Sequence, residues 1–312
     1  MKRRAFIAGG LAAVVFVLPQ SARAQAAPKA PLKVVASFSI LADFVRNVGG
    51  DRVEVTSLVG PDSDTHVYTP SPADGRRVAA AKLVVVNGLG LEGWLPRLVR
   101  ASGGKANLVV ATKGIVPLKS DAEGHDHGHG HDHDHGEGDD PHAWQSVANA
   151  KVYVANIRDA LIAADAEGAE VYRRNADAYL TELDGLDREV REAVASIPPE
   201  RRRVISSHEA FGYFAAAYGI AFMAPQGVST DSEPSARDVA AIITQIRKDK
   251  IPAVFLENIS DPRLVRRIAA ETGVKIGGSL FSDSLSAKNG PVPTYIDLVR
   301  HNIKALTSAL TG

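Results

Sequence analysis

The chain has 312 residues, of which 45% are hydrophobic and 23% are charged, a composition typical of a globular protein and a length sufficient for about two domains. Lysine plus arginine and aspartate plus glutamate each number 36, so no basic surplus is available to neutralise a phosphate backbone, and nucleic acid is excluded as a partner. Cysteine is absent, which excludes thiolate metal ligands and leaves no cysteine that could carry a lipid anchor.

Residues 1–24 have the pattern of a secretory signal peptide. A basic segment, Lys2–Arg4, precedes the apolar stretch Ala5–Leu18, which is shorter than a comfortable membrane span, and Ala22–Ala24 forms a small-x-small cleavage site. The basic pair also occurs in twin-arginine signals, but ordinary signals often begin this way, and we expect export by the Sec route. The mature protein is therefore predicted to be soluble and periplasmic, without a membrane anchor.

Strand and helix patterns alternate in the first half of the mature chain. Short β-branched runs predict buried strands at Lys33–Ser37, Val53–Val59, Leu83–Asn87 and Leu108–Ala111. Amphipathic stretches at residues 40–48 and 73–81 predict helices between them. This order predicts a parallel sheet with helices on its faces, and we place an N-terminal lobe at residues 32–145.

One glycine-rich segment in this lobe, Gly88–Gly93, matches the dinucleotide-binding pattern G-x-G-x-x-G. That fingerprint also requires an acidic residue about 20 positions further on, at the end of the next strand. The next predicted strand is followed by Thr112 and Lys113, so nucleotide binding is rejected.

Histidine alternates with aspartate and glycine in the segment that follows, GHDHGHGHDHDHG, within a predicted flexible loop at residues 121–140. Imidazole suits zinc, copper and nickel, but each ligand gathered by a flexible loop costs conformational entropy. We therefore expect several weak metal sites with an auxiliary role in capturing zinc, accepting it from a donor protein or sensing its excess. The predicted low-affinity ligands are His125, His127, His129, His131, His133 and His135.

The connection after the first lobe, residues 146–198, is predicted to be helical. Residues 170–197 contain no proline, and apolar side chains recur every three to four positions, which indicates one face of a long helix. Pro198–Pro199 ends this helix. A helix of this length predicts a stiff joint between the lobes.

The second half repeats the alternating plan and predicts a C-terminal lobe at residues 200–312. Both lobes contain Pro-Ser-x-x-Asp, at residues 70–74 and 234–238, which predicts a capping box at the start of a helix. The predicted strands are Arg203–Ser207, Ile220–Ala224, Ala253–Glu257 and Val274–Gly278. The predicted helices are Glu209–Tyr218, Ala236–Lys248 and Pro262–Thr272. The fold class is therefore α/β, with two similar parallel-sheet lobes joined by one long helix.

Three histidines outside the tract lie in loops next to predicted strands or helices. His66 lies in GPDSDTHVYTPSP, His142 in DDPHAW and His208 in ISSHEAFGYF. Ligands collect at the carboxyl ends of strands in parallel sheets, but sequence spacing alone does not show that these side chains converge. His301, in the last helix, has no motif around it and is interpreted as a surface residue.

Six segments, in the order THVYTPSP, NGLGLEGWL, DPHAW, SHEAFGYFAAAYG, EPS and LFSDSLS, resemble the zinc/manganese solute-binding proteins of ABC transporters. The resemblance covers essentially the whole mature chain. It implies two α/β lobes joined by a rigid helix, with one metal ion held between them. Carried over by motif, the ligands would be His66 and His142 from the first lobe and His208 and Asp283 from the second.

The ligand set that the resemblance implies favours zinc. Three neutral imidazoles and one carboxylate suit tetrahedral Zn²⁺, whereas the manganese members resemble this pattern with a carboxylate in place of His208, and manganese prefers oxygen ligands. Another carboxylate or water could complete the site instead of Asp283, since aspartate in Phe-Ser-Asp-Ser is also a common turn residue. Glu209 could approach the metal, but we expect it in the first turn of the following helix.

The predicted function is a periplasmic, high-affinity zinc-binding protein that delivers Zn²⁺ to the permease of an inner-membrane ABC importer. A monomer is expected, and a periplasmic zinc donor protein is a candidate partner. A fully protein-ligated zinc site binds without catalysing, so the chain is predicted not to be an enzyme. The alternatives are a secreted zinc hydrolase with an open three-histidine site and Glu209 as general base, and a periplasmic zinc buffer without a transporter.

Overall fold

Two four-stranded parallel sheets form the framework of the computed structural model, which describes residues 30–103, 106–120 and 138–312. The first sheet contains β1 (Leu32–Ala36), β2 (Val53–Ser57), β3 (Leu83–Val86) and β4 (Leu108–Val110), in the order β2-β1-β3-β4. The predicted signal peptide and the six tract histidines lie outside the described residues.

The second sheet repeats the arrangement of the first. It contains β5 (Arg203–Ile205), β6 (Ala221–Met223), β7 (Ala253–Glu257) and β8 (Lys275–Leu280), in the order β6-β5-β7-β8. Both sheets therefore place their first strand beside the second and the third strand, with the fourth at an edge. The two similar parallel-sheet lobes predicted from the sequence are confirmed, whereas the exact lobe boundaries stay a prediction.

Helices cover the sheets and connect the lobes. A 27-residue helix occupies nearly the predicted span, and its length of about 40 Å at 1.5 Å per residue confirms the long connection. Among the described residues, no helix is both long and apolar enough to cross a membrane. The helices are α1 (Ser39–Gly49), α2 (Pro72–Ala80), α3 (Leu95–Ala101), α4 (Val147–Ala164), α5 (Ala169–Ala195), α6 (Gly212–Tyr218), α7 (Ala236–Asp249), α8 (Arg263–Thr272) and α9 (Tyr295–Leu310).

The joint between the lobes is a packed aromatic cluster. Phe44 on α1 packs against Tyr153 on α4, Tyr179 on α5 and Tyr295 on α9, with ring centroids 5.8, 6.3 and 4.8 Å away. One hydrophobic core continues through these helices from the first sheet to the second. Densely packed interiors transmit displacement instead of absorbing it, so this joint resists a wide hinge motion.

Two local predictions were right and two were wrong. Ser71 and Ser235 each cap their helix and form complete capping boxes. Glu209 does not lie in a helical turn, because its backbone N–H donates to the Gln226 and Gly227 carbonyls and α6 begins only at Gly212. His301 is half-buried, not a surface residue: its Nε2 lies 3.0 Å from the Ser279 carbonyl oxygen.

Asparagine in place of Asp43 is expected to stabilise the protein more at pH 8 than at pH 5. Asp43 is buried on α1 and accepts the backbone N–H of Tyr295 at the start of α9. Burial raises its pKa to about 6, above the ordinary value of 3.8, although this hydrogen bond and Arg46 oppose the shift. Because the folded state favours the protonated form of Asp43, this group contributes to the stability of the folded protein at low pH, and the contribution is lost as the pH rises through about 6.

Thermal unfolding of the metal-free protein at both pH values measures this effect. The pKa shift corresponds to about 3 kcal/mol at most, so the gain of Asp43→Asn over the native chain is expected to differ by about 1–3 kcal/mol between the two pH values. A gain that is the same at pH 5 and pH 8 would contradict the prediction. Comparing the two chains at each pH cancels the titration of all other groups.

Candidate metal site

His66 lies in the loop between β2 and α2. Its backbone N–H donates to Asp64 Oδ1 over 2.8 Å, and the indole of Trp94 donates to the adjacent Thr65 carbonyl over 2.9 Å. These two bonds fix the loop so that the imidazole points inward, with 5% of the side chain exposed. The ring therefore meets solvent at one side and the interior at the other.

His142 is fully buried and is oriented by a carboxylate. Asp140 Oδ1 accepts both the imidazole Nδ1–H and the backbone N–H of His142, at 2.8 and 2.9 Å. The Asn87 amide donates to the carbonyl of Pro141, which holds the preceding turn. With Nδ1 occupied, Nε2 is left to face the interior, the usual arrangement around a metal-ligating histidine.

The glycine-rich segment that resembles a nucleotide fingerprint supports this same turn. Glu92 is buried, and its carboxylate accepts the Ser37 hydroxyl and the backbone N–H groups of Asn87 and Gly88. The segment thereby shapes the end of β3, from which Asn87 reaches Pro141. Its glycines serve this turn: Gly88 and Gly90 both have positive φ, at 85° and 83°.

His208 is the corresponding buried histidine of the second lobe. It follows β5, and its Nδ1 lies 2.6 Å from Glu257 Oε2 at the end of β7. The other Glu257 oxygen accepts the backbone N–H groups of Ser207 and His208, at 2.7 and 3.0 Å. Glu257 therefore bonds to the backbone of His208 and lies at ion-pair distance from its ring, in a position similar to that of Asp140 beside His142.

Asp283 follows β8 and is completely buried. The carbonyl of the preceding Ser282 accepts two hydrogen bonds, from Trp144 Nε1 and Gln145 Nε2, at 2.9 and 2.8 Å. The segment that carries His142 is thus bonded directly to the segment that carries Asp283.

The four predicted site residues come together at one point. The Asp283 carboxylate lies 3.3 Å from His66 Nε2, 3.6 Å from His142 Nε2 and 3.2 Å from His208 Nε2. The two N-terminal imidazoles approach each other to 3.2 Å, and all four ligand atoms lie within 4.8 Å of one another. A tetrahedral site with metal–ligand bonds near 2.0–2.1 Å has edges of about 3.3 Å, close to the separations of 3.2 to 3.6 Å within this cluster.

The Asp283 carboxylate is short of partners in this arrangement. Neither oxygen has a hydrogen-bond partner among the described residues, although three imidazole nitrogens lie at ion-pair distance. The nitrogens and the carboxylate are thus arranged around a shared centre and not along hydrogen-bond directions. A buried carboxylate without such bonds is costly unless a cation compensates it, so the residues fit a bound metal ion.

The charges of the site shift its protonation strongly. Burial lowers the pKa of His142, but the charges of Asp283 and Asp140 outweigh this effect and raise it to about 9. Burial also lowers the pKa of His208, but the charges of Glu257 and Asp283 outweigh burial and raise it well above its ordinary value. Burial would raise the pKa of Asp283, yet the two imidazoles hold it well below its ordinary value. Without metal, these raised pKa values favour the protonated forms of His142 and His208 at neutral pH.

Zinc affinity is expected to rise with pH up to about pH 9, because the ion must displace the proton of His142. Each proton displaced changes the apparent dissociation constant by about tenfold per pH unit. Calorimetric titration at pH 7 in two buffers with different ionisation enthalpies counts these protons, and we expect at least one for each ion bound. Identical heats in the two buffers would contradict the expectation.

Glu209 is not among the converging side chains. The metal-compatible cluster contains His66, His142, His208 and Asp283, and Glu209 instead lines a cavity of about 430 Å³ together with Lys119 and Gly212. Sequence reasoning missed the two orienting carboxylates, Asp140 and Glu257. Asp140 was detectable as an acid two residues before a ligand, whereas nothing in the sequence pairs Glu257 with His208.

Three buried imidazoles and one carboxylate, set between two parallel-sheet lobes on a stiff helical joint, define a metal-binding protein of the solute-binding class. The chain belongs to the family described as zinc-uptake complex component A, periplasmic, whose sequence model matches residues 34–309. Proteins of this family are solute-binding components of ABC transporters and not enzymes, so the hydrolase alternative is set aside.

Relatives of the chain carry several metals in their names. It is 36% identical to the iron-binding protein YfeA of Yersinia pestis, over 88% of this chain and 85% of that protein. It is 34% identical to the manganese-binding lipoprotein MntA of Halalkalibacterium halodurans, over 90% and 89%. The solved periplasmic zinc-binding protein TroA of Treponema pallidum superposes with a TM-score of 0.82 at 31% identity, over 90% and 100% of the two chains.

Proposed function

We propose that this protein is a periplasmic zinc carrier that delivers Zn²⁺ to the permease of an ABC importer. The observation that carries the proposal is the convergence of His66, His142, His208 and Asp283, with ligand atoms within 4.8 Å of one another. The buried Asp283 carboxylate, which has no hydrogen-bond partner among the described residues, supports a cation as the bound species.

The choice of zinc rests on the ligand atoms. Three imidazole nitrogens and one carboxylate make a closed tetrahedral set, which suits Zn²⁺, whereas Mn²⁺ prefers more oxygen ligands and higher coordination. The carboxylates Asp140 and Glu257 support two of the predicted ligands, because each lies against Nδ1 of its histidine and leaves Nε2 of His142 and His208 facing the centre. The relatives named for iron and manganese make selectivity the property to measure.

Competitive titration against a chromophoric chelator tests the metal preference. The chain without residues 1–24 is expected to bind one Zn²⁺ tightly and to prefer it to Mn²⁺ by at least about 100-fold, since nitrogen-rich sites follow the Irving–Williams order. Equal or tighter manganese binding would contradict a zinc carrier.

The transport role is tested by growth in zinc-depleted medium: deletion of the gene should impair growth as strongly as deletion of the permease. If the protein were a zinc buffer without a transporter, the two deletions would not impair growth to the same extent.

For the histidine-rich tract we propose an auxiliary role in supplying zinc to this site. The described residues that flank the tract are joined by an antiparallel bridge between Lys119 and Asp139, just before Asp140. Removing residues 123–137 while keeping this bridge is expected to abolish weak zinc sites and leave one tight site, because the four residues proposed to form the tight site all lie outside the removed segment. Loss of the tight site in the same titration would place that site in the tract.

A further inference from the structure

Contacts between the two lobes around the metal site fall into two groups that differ in depth. The deeper group joins His142 to Asp283, because Trp144 and Gln145 both donate to the carbonyl of Ser282 and all three residues are buried. These bonds require no metal ion. The His142 and Asp283 pair is therefore held together whether or not the site is loaded.

The outer group involves the loop that carries His66. Asp64 Oδ1 accepts the backbone N–H of His66 at 2.8 Å, and its Oδ2 accepts the hydroxyl of Thr230 at 2.6 Å. One carboxylate thus connects the backbone of a predicted ligand to a loop of the second lobe. Two further hydrogen bonds hold the start of the His66 loop: the backbone N–H of Asp62 donates to the Leu285 carbonyl, and that of Ser63 donates to the Ser284 hydroxyl. These bonds reach the segment next to Asp283 and not the Thr230 loop.

The Thr230 loop, residues 228–234, is fixed at its ends and open along its length. Before it, Gln226 pairs with His208, and after it Ser235 forms the capping box of α7. Cavities of about 470 and 600 Å³ lie against this loop, the first lined by His66 and the second by Asp64. Empty space beside a loop lets it move without displacing core side chains.

Within the part of the chain that the structure describes, the hydrogen bond from Thr230 to Asp64 joins this loop to the first lobe. Two further hydrogen bonds of this loop are local, from the Gln226 amide to the Ser232 carbonyl and from the backbone N–H of Asp231 to the Ser229 hydroxyl. The Asp64–Thr230 bond therefore fixes the position of the loop over His66.

We propose that the Asp64–Thr230 hydrogen bond is a latch over His66 that sets how fast the bound divalent cation leaves. Release begins when the Thr230 loop moves away and Asp64 lets the His66 backbone shift, while His142 and Asp283 stay together. His66 is the first ligand to detach because its side chain is 5% exposed, whereas His142, His208 and Asp283 are completely buried. The inference rests on the proposed function of this site, and Asp64 and Thr230 are positioning residues in it.

Thr230→Val tests the latch, since valine keeps the shape of threonine and removes the hydroxyl. We expect Zn²⁺ to dissociate about 10- to 150-fold faster into an excess of chelator, the loss expected for one hydrogen bond to a charged group, with one ion still bound per chain. The association rate should change less, because the latch acts on the closed state. Thr230→Ser retains the hydroxyl and should restore slow release.

Thr244→Val is the matched control, because the Thr244 hydroxyl donates only to the Ala240 carbonyl within α7. Its release rate should equal that of the native chain. Asp64→Asn is the second variant: its amide can still accept the His66 N–H, but it weakens the bond to Thr230, so release should again be faster. The melting temperature of each metal-free variant separates a change in release from a general loss of stability.

Two outcomes would overturn the latch. Unchanged release from Thr230→Val, in a native chain that binds zinc tightly, would contradict the latch while leaving the zinc carrier intact. Equally fast release from Thr230→Val and Thr230→Ser would show that the hydroxyl is not the relevant group. A native chain that binds no zinc tightly would contradict the proposed function itself, and the latch would fall with it.

Discussion

Alanine in place of His208 is expected to weaken zinc binding by about 100- to 1,000-fold. Four-ligand structural zinc sites have binding free energies of about 10–16 kcal/mol, so one ligand accounts for about 3–4 kcal/mol. The surroundings of His208 support it as a predicted ligand, because Glu257 Oε2 lies 2.6 Å from its ring Nδ1 and Glu257 Oε1 accepts its backbone N–H over 3.0 Å. Its loss therefore removes both a ligand and the partner of a buried carboxylate.

The remaining site would be poorly balanced electrostatically. Glu257 and Asp283 are both buried, and His208 lowers the pKa of each. Without the imidazole, two carboxylates would share a dry interior with less compensation, and such groups take up protons instead of staying charged. We therefore expect His208→Ala to be less stable than the native chain at neutral pH, in addition to its weaker zinc binding.

His301→Ala is the matched control for this measurement. It removes the same side chain from a half-buried position in α9, where Nε2 contacts the Ser279 carbonyl and the ring packs on Phe281. Competitive zinc titration of the two variants should show native affinity for His301→Ala. Native affinity and stoichiometry for His208→Ala would remove His208 from the ligand set.

The sequence was sufficient to predict the architecture because the signals for it are local. An apolar, β-branched run such as Leu83–Val86 is typical of a parallel strand that is buried on both faces, and the structure buries all four of these residues. The buried face of α5 follows from apolar side chains spaced three or four positions apart, from Tyr172 to Val194. Capping boxes depend on residues only three positions apart, as at Ser71 and Asp74.

The site was less accessible to sequence reasoning because its contacts are not local. Convergence of His66 with Asp283 depends on the packing of both lobes around the shared core, and the sequence argument for it was a family resemblance. The start of α6 was misplaced for the same reason. The backbone N–H of Glu209 donates to the carbonyls of Gln226 and Gly227, which are distant in sequence, instead of entering a helical turn. Glu257 orients His208 from another strand, and no spacing in the sequence indicates this pairing.

The packed joint bears on how an ion could leave the site. Phe44, Tyr153, Tyr179 and Tyr295 fill the space where a wide clamp would hinge, and their core is continuous between the lobes. Opening this joint would expose large aromatic side chains, each worth about 1.5–3 kcal/mol or more in lost burial. Movement of a loop bordered by cavities is far less costly. Local opening beside His66 therefore fits the architecture better than separation of the lobes.

Alanine in place of Asp283 is expected to weaken zinc binding by about 100- to 1,000-fold and to reduce the number of protons that zinc releases. The first effect follows from the loss of the carboxylate ligand. The second follows because the charge of Asp283 raises the pKa of both His142 and His208. Without it, both imidazoles lose protons at lower pH, so fewer protons remain for zinc to displace.

These two readouts distinguish a ligand from a neighbour of the site. If water completed the coordination shell and Asp283 only accepted a hydrogen bond from it, affinity would fall by less than about tenfold, the usual cost of one neutral hydrogen bond. Asp283→Asn separates charge from shape, since it keeps the size of the side chain. Asp184→Ala, which removes an exposed carboxylate paired with Lys151, should leave both affinity and proton count unchanged. A large loss of affinity with an unchanged proton count would contradict the electrostatic coupling of Asp283 to the two buried imidazoles.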